Sequence, residues 1–485
     1  MPGAAEYVPA TEKGRNDFAH EVATERDTRR KAYREALKYY SGEHDNMLDI
    51  DPDEPNDNTR INLVKMTADR TVSFLFPDVP QFKVDKGSVE ETPDEAWVRE
   101  FFEASGGLGM LIKLALRGFL SGHGFLRVVP VPKEKRHYEK YPKIVNLDPT
   151  SVSVFWAADD VSEVLWYEMR YHVGSVPYVR DFVNKGNQWV IYTYRGVARN
   201  DGEMIVNIPT PHGEPAFWLN HLTFTGSNFE LIATAIHTST IPPIIDFPHL
   251  PHPDDYYGLG EFTEKDLQDM VNRINSLRNR IVREHSEPVD VLTGADADDI
   301  EDDGGIMSIS QSDARVWRME MKGDLSGITV VLDKLIETYL AIARVVLLKG
   351  EAKDLQRVTN AAVRTLFLDS ISKNVILQSS YGRALKQVAQ LGLLMAYKAG
   401  GEGANPKDTD MLVKFGSALP TDLSEIAIIN AQGLSGGYMS RRTAATKLNL
   451  NWAEEQEAME AEYEWSQQFV EKEPMTEDEV AEGVE

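Results

Sequence analysis

His249, His252, Asp254 and Asp255, within the stretch PHLPHPDD, are the residues of this sequence whose types could together hold a divalent metal. Such a set would make the chain a metal-dependent hydrolase. The competing reading is a rigid polar connector, because prolines enclose both histidines in extended chain and no second group of ligand types follows. A second cluster, Asp296, Asp298, Asp299, Glu301, Asp302 and Asp303, has the acid density of a calcium loop. Its spacing fails: Ile300 stands at the third ligand position counted from Asp296, and Met307 stands where the closing glutamate belongs. A solvated loop or a docking surface for a basic partner remains. Lys349, Lys353 and Arg357 border a short polar loop between two long helical patterns. In one copy they are an ordinary solvated turn, and repeated around a ring they would form a belt of positive charge.

The sequence motifs of common enzymes are missing. There is no G-x-x-x-x-G-K-[ST], no H-E-x-x-H and no G-x-S-x-G. The glycine pairs of SGHGFL and YGLGEF lack the third glycine of a dinucleotide fingerprint and read as turns. An enzyme is not expected, and no cofactor.

The 485 residues carry a formal net charge of −26 and 42% hydrophobic residues, enough for more than one core. The acidic balance argues against tight, static binding to nucleic acid, which rests on many Lys and Arg neutralising phosphates. Absence of cysteine removes disulfides, thiolate metal sites and thiol nucleophiles. The first twenty residues lack the apolar core of a secretory signal. Asp333, Lys334, Glu337 and Arg344 interrupt the longest apolar run, GITVVLDKLIETYLAIARVVLLKG, which reads as a packed helix rather than a membrane span.

The elements that would position these residues follow from periodicity. Helical patterns dominate residues 12–121, with Pro93 at a tolerated first turn. Alternation in FLRVVPV, SVSVFWA, VLWYEMRYHV, QWVIYTYRG and MIVNIP predicts an antiparallel β meander over residues 124–248. From Thr263 a helix of about 23 residues is expected. Its apolar stripe is Leu267, Met270, Val271, Ile274, Leu277 and Ile281, with acids at its start and arginines at its end. Pro288 marks its stop. Three short strands, VDVLTG, IMSIS and ARVWRMEM, surround the acid loop. A second rod from Ser326 uses Ile328, Val331, Leu332, Leu335, Tyr339, Ile342 and Val346, and a third run from Arg357 to Tyr397 contains no proline. The fold class expected is α+β, predominantly α.

This order of elements resembles the portal proteins of tailed bacteriophages. Three stretches carry local likeness: IPPIIDFPHLPHPDDYYGLGEFTEKDLQDMVNRINSLRNRI, with Asn272 and Asn275 on its helix, VNLDPTSVSVFWA, and GGYMSRRTAATKLNLNWAEEQEAMEAEYE. The likeness covers residues 20–470 in order. It implies a wing of helical lobe and β meander (residues 1–257), a stem helix (258–286), a β-rich clip (287–323) and a returning stem helix (324–348). A tunnel loop (349–356), a long helix (357–398), a helical crown (399–470) and an acidic tail expected to be disordered (471–485) complete it. The function implied is a channel at one capsid vertex for DNA packaging and ejection. The alternatives are another structural phage component, such as a scaffold or connector, and the hydrolase above.

The partners implied are further copies in a ring of twelve, double-stranded DNA in the bore, terminase, head-tail adaptors, and major capsid and scaffolding proteins, with no membrane. The location implied is the virion, after assembly in the host cytoplasm. Lys349, Lys353 and Arg357 would face the DNA. The six acids of residues 296–303 would meet a docking partner, and Leu267, Ile274, Ile281, Leu332, Leu335 and Tyr339 would pack the stem. Twelve helices ~10 Å apart need a circumference of ~120 Å and leave a bore of ~30 Å, wide enough for a duplex. Twelve copies would carry a charge of about −310, a wall that repels phosphates and so favours sliding.

Overall fold

The computed structural model describes residues 12–84, 91–132, 134, 140–157, 160–197, 228–253, 255–262, 264–286, 289–293, 300–303, 306–309, 315–319, 326–347, 360–399, 411–419, 423–448, 450 and 452–470. Two compact units result. The first comprises residues 1–85, 92–358 and 362–418; the second comprises residues 86–91, 359–361 and 419–485. Helix and strand are mixed throughout the first, an α+β arrangement.

The helical lobe contains α1 (Glu12–Tyr40), α2 (Leu63–Leu75), α3 (Pro93–Ala104) and α4 (Gly107–Ser121). The start of α3 is a capping box. Thr92 Oγ1 accepts from the Glu95 N–H, and Glu95 Oε2 accepts from the Thr92 N–H, with Pro93 in the first turn. Gly106, at φ 106°, separates α3 from α4. A three-residue strand, β1 (Gln81–Lys83), lies between α2 and α3.

Strands β2 to β9 divide between two antiparallel sheets. One is ordered β3-β2-β9, from β2 (His123–Val129), β3 (Lys143–Leu147) and β9 (Ile244–Pro248). The other is a five-stranded meander of β4 (Val152–Trp156), β5 (Val164–Val173), β6 (Val176–Asn184), β7 (Trp189–Val197) and β8 (Asn228–His237). The expected single meander is therefore corrected: FLRVVPV pairs with β3 and β9, outside the meander. The physical reason is its apolar character on both faces, since β2 has helix α4 on one side and the second sheet on the other. The expected strand MIVNIP lies outside the described residues.

Two rods follow, α5 (Lys265–Ser286) and α6 (Ser326–Ile342). Between them, β10 (Val289–Thr293) pairs antiparallel with β13 (Arg315–Met319), and β11 (Ile300–Asp303) with β12 (Ile306–Ile309). The acid stretch is thus not all loop. Ile300, Glu301, Asp302 and Asp303 pair with Ile309, Ser308, Met307 and Ile306, so the backbone ladder overrides the low strand propensity of its carboxylates.

Helix α6 stops at Ile342, short of Val346, which had been placed on its stripe. Arg344 turns to a positive φ of 54°, and side chains of other helices take the freed carbonyls, as set out below. The run beyond is not one rod either. It is α7 (Asn360–Leu366) and α8 (Leu368–Lys398), parted at Phe367, whose ring stacks on Phe74 with centroids 5.7 Å apart.

Helix α8 is the spine of the main core, where Leu377, Tyr381, Leu385 and Val388 meet Phe101 and Phe102 of α3, Leu111 and Leu114 of α4, and Phe247 of β9. A Cβ at Gly392 would lie 2.6 Å from Phe101 Cε1, so only glycine admits that ring. A short strand, β14 (Leu412–Lys414), pairs with β1.

The second unit holds α9 (Leu423–Ser435), α10 (Arg441–Lys447) and α11 (Trp452–Val470). Ser440 caps α10 by accepting from the Thr443 N–H at 3.1 Å, and buried Asn430 donates to the Ala444 carbonyl at 2.9 Å.

Candidate functional site

The start of α5 and the end of α6 are tied to the rest of the fold by a chain of buried polar groups. Lys373, on α8, donates from Nζ to Glu261 Oε2 at 2.7 Å, to Thr71 Oγ1 at 2.9 Å and to the Ala343 carbonyl at 2.8 Å. An ammonium has three N–H donors, and all three are used. The Ala343 carbonyl is at the C-terminal end of α6, where the helix dipole favours a cation. Ser370 Oγ donates to the Arg344 carbonyl at 2.6 Å and Arg70 to the Val346 carbonyl at 2.7 Å. Side chains from α8 and α2 thereby satisfy orphan carbonyls where α6 ends.

Glu261 is the hinge of this chain. Its backbone N–H donates to the Phe119 carbonyl at 2.8 Å, and its Oε1 meets His249 Nε2 at 2.8 Å. The Tyr381 hydroxyl lies 3.1 Å from His249 Nδ1. Burial would raise the Glu261 carboxyl, but the His249 hydrogen bond and charge, with Lys373, outweigh it and hold the group below its ordinary value. Tyr381 is raised, by burial first and then by the Glu261 charge.

This geometry corrects the metal reading. Both ring nitrogens of buried His249 already face protein partners, leaving no lone pair for an ion. His252 and Asp255 line a different cavity of about 630 Å³, and Asp254 lies outside the described residues. Among the described residues no group of three or more His, Cys, Asp or Glu could hold a metal.

The two glycine pairs read as turns meet each other. Gly122, at φ 80°, ends α4, and its carbonyl accepts from the His249 N–H at 2.9 Å. A Cβ there would lie 2.0 Å from the Gly258 carbonyl oxygen and 2.8 Å from Gly260 N. Backbone approaches backbone at this crossing, which only glycine permits.

Helix α5 differs most from expectation. Leu267, Val271 and Ile274 pack with Leu332, Leu335 and Tyr339 of α6, and Ile281 is half-buried. Met270 and Leu277, assigned to the same stripe, are exposed. Val271 is fully buried, and beside it runs a buried polar line of Gln268, Asn272, Asn275 and Ser276. Gln268 accepts from the Leu63 N–H at 3.0 Å and donates to the Ile61 carbonyl at 2.7 Å. Asn272 accepts from the Ile61 N–H at 2.8 Å, and Ser276 Oγ from the Thr59 N–H at 3.0 Å. Four helical residues rise about 6 Å and two extended residues about 6.6 Å. Positions 268, 272 and 276 therefore keep step with 63, 61 and 59, and α5 acts as the hydrogen-bonding neighbour of an extended segment. Arg283 closes the row on Asp57 at 2.6 Å.

Glu261, Lys373, Tyr381 and Thr71 had not been singled out from the sequence. The available signal was the polar set Ser370, Lys373 and Asn374 on a helix otherwise rich in apolar residues. Lys349, Lys353, Arg357, Asp296, Asp298 and Asp299 lie outside the described residues. Glu301, Asp302 and Asp303 are on β11. No described helix is long and apolar enough to cross a membrane.

The family model described as "Phage portal protein, SPP1 Gp6-like" matches residues 19–468. Among solved structures, a chain of the neck of a native gene transfer agent particle, computed with C12 symmetry, is 13% identical. That match covers 80% of this chain and 89% of the other, at a TM-score of 0.41. A chain of the neck of an empty particle, computed with C6 symmetry, is also 13% identical, covering 80% and 90%, at a TM-score of 0.43. No curated protein matches the chain.

Proposed function

We propose, from the premise that this chain belongs to the SPP1 Gp6-like family of phage portal proteins, that copies of it close into a ring of twelve around a channel for double-stranded DNA. A portal is the connector at the capsid vertex, and the family is structural. The observation that carries the reading is the family match across residues 19–468, which takes in the rods, the strands between them and the helices that follow.

In this reading α5 and α6 are the stem, residues 287–323 the clip, and Lys349, Lys353 and Arg357 the residues that touch phosphates in passing. The acids of residues 296–303 meet terminase during packaging and the head-tail adaptor afterwards. Major capsid and scaffolding proteins surround the wing, and assembly takes place in the host cytoplasm before the ring becomes part of the virion. The anionic balance supports sliding, because a wall with few cations makes few lasting phosphate contacts. Negative-stain imaging of the purified full chain tests the reading. Rings with a central opening are expected; filaments, or particles without an opening, would overturn it.

A further inference from the structure

The first half of α8 is inside out. Ser370, Lys373 and Asn374 are 8%, 5% and 8% exposed, whereas Leu368, Val375 and Ile376 are 58%, 59% and 41% exposed. The inward polar groups have partners: the Arg344 carbonyl for Ser370, Glu261 for Lys373, and the Phe74 carbonyl for the Asn374 amide. Among the described residues the outward apolar groups belong to no hydrophobic cluster, although a helix that ends its packing at solvent carries polar residues on that side.

Across the helix from this face is a hollow. A cavity of about 290 Å³ is lined by the apolar side chains of Phe74, Val345, Val346, Phe367 and Leu377 and by polar and charged residues of α2, α8 and the turn after α6, Ser73 among them. An apolar cavity of about 150 Å³ holds one benzene ring. This one has room for about two branched aliphatic side chains. Successive helical residues turn by about 100°. That step sends Leu368, Val375 and Ile376 to the side of α8 opposite Ser370, Asn374 and Leu377, which border the cavity.

We infer that these two sides are the halves of a head-to-tail contact: the Leu368, Val375 and Ile376 face of one copy seats in the cavity beside Phe74, Val345, Val346 and Phe367 of the next. The inference rests on the ring reading above and adds the surface through which neighbours meet. A second copy is the occupant that fits. A closed ring of more than two subunits needs two different, mutually complementary patches on every chain, and one helix here carries a protruding apolar face and an apolar recess on opposite sides. A self-complementary dimer would need one patch meeting itself. A duplex, being polyanionic, has no chemistry for leucine, valine and isoleucine.

The chain contains no cysteine, so an introduced pair reports without background. Ile376→Cys combined with Ser73→Cys, oxidised after assembly and run on a denaturing gel, is expected to give a ladder of species of several chains, and each single variant monomers alone. Absence of a ladder from the double variant overturns the inference. Dimers from Ile376→Cys alone also overturn it, because the face would then meet itself. As a second measurement, Leu368→Glu with Val375→Glu should raise the concentration for half-assembly about tenfold or more, with the melting midpoint of the dissociated chain unchanged. Unchanged assembly of that variant sinks the contact and leaves the ring standing; an unmodified chain that never assembles removes both.

Discussion

Lys373 Nζ lies 2.7 Å from Glu261 Oε2, and both side chains are almost wholly buried, 6% and 7% exposed. This pair joins the long helix α8 to the segment that leads into α5, and through the Ala343 carbonyl and Thr71 it also grips the end of α6 and the body of α2. A buried ion pair gains little over apolar packing, but losing one partner strands a charge. Its value here is geometric: it fixes the start of α5 and the end of α6 against α2 and α8.

Lys373→Met is therefore expected to cost about 3–5 kcal/mol, because Glu261 keeps its charge while the Thr71 and Ala343 oxygens lose a donor. Glu261→Gln added to Lys373→Met should recover part of that loss. A double-mutant cycle by urea unfolding of the dissociated chain measures the coupling. Additive single effects would show that the two groups do not act as a unit.

The same carboxyl sets an acid limit. Glu261 is held below its ordinary value of 4.5, so the folded state binds that proton less readily than the unfolded chain. The stability it contributes is complete above about pH 4.5 and is lost as pH falls from there through the folded value. Glu261→Gln should flatten the dependence of unfolding free energy on pH below 4.5. An identical acid slope in the variant would assign the loss to other carboxyls.

Gly122→Ala tests the crossing of the glycine pairs. The side chain would have to occupy a left-handed conformation and displace the Gly258 carbonyl 2.0 Å away, neither of which a rotamer change relieves. The positive φ alone costs about 1–2 kcal/mol, and the backbone clash adds to it. Gly174→Ala is the control, at φ 62° with no heavy atom within 4 Å of the new Cβ, and should cost the conformational part only. Equal melting midpoints for the two variants would mean that the crossing yields without strain.

How much of this was legible in the sequence depends on whether the partner of a residue is near or far along the chain. The rods α5 and α6 were readable because dipole charges and apolar steps are local. Pro93 at the start of α3 was readable for the same reason. The buried polar face of α5 was not. Gln268, Asn272 and Ser276 look like a solvated face until Thr59, Ile61 and Leu63, more than 200 positions earlier, present unpaired backbone at matching intervals. The break at Phe367 was equally hidden, since no proline or glycine marks it and stacking on Phe74 supplies the reason. His249 is the converse case: a ligand type whose ring nitrogens tertiary structure assigns to Tyr381 and Glu261.

Asn272→Leu follows from that buried polar face. The change makes the helix more apolar and by periodicity alone would improve its buried face. Expected instead is a loss of about 1–3 kcal/mol, because the Ile61 N–H is left without an acceptor in a dry site, and His44 Nδ1 loses its 2.7 Å neighbour. Met270→Gln, on the exposed side, should leave the dissociated chain's urea midpoint within the range of ordinary surface changes. Stabilisation by Asn272→Leu would show that the segment 59–63 does not depend on α5 for its hydrogen bonds.

The acids between β10 and β12 offer the last test, one of recognition rather than stability. Charges on a docking surface act mainly on the rate and orientation of encounter, and their effect fades as salt shortens the screening length from about 10 Å at 0.1 M to about 3 Å at 1 M. Asp298, Asp299, Asp302 and Asp303 changed together to Asn should leave rings intact while slowing association with the terminase or adaptor at low salt. Because the charges act at a distance, the unmodified ring and the variant should converge as salt rises. Association rates measured by surface-immobilised rings across a salt series decide it. If the two proteins bind at the same rate at every ionic strength, these acids take no part in docking.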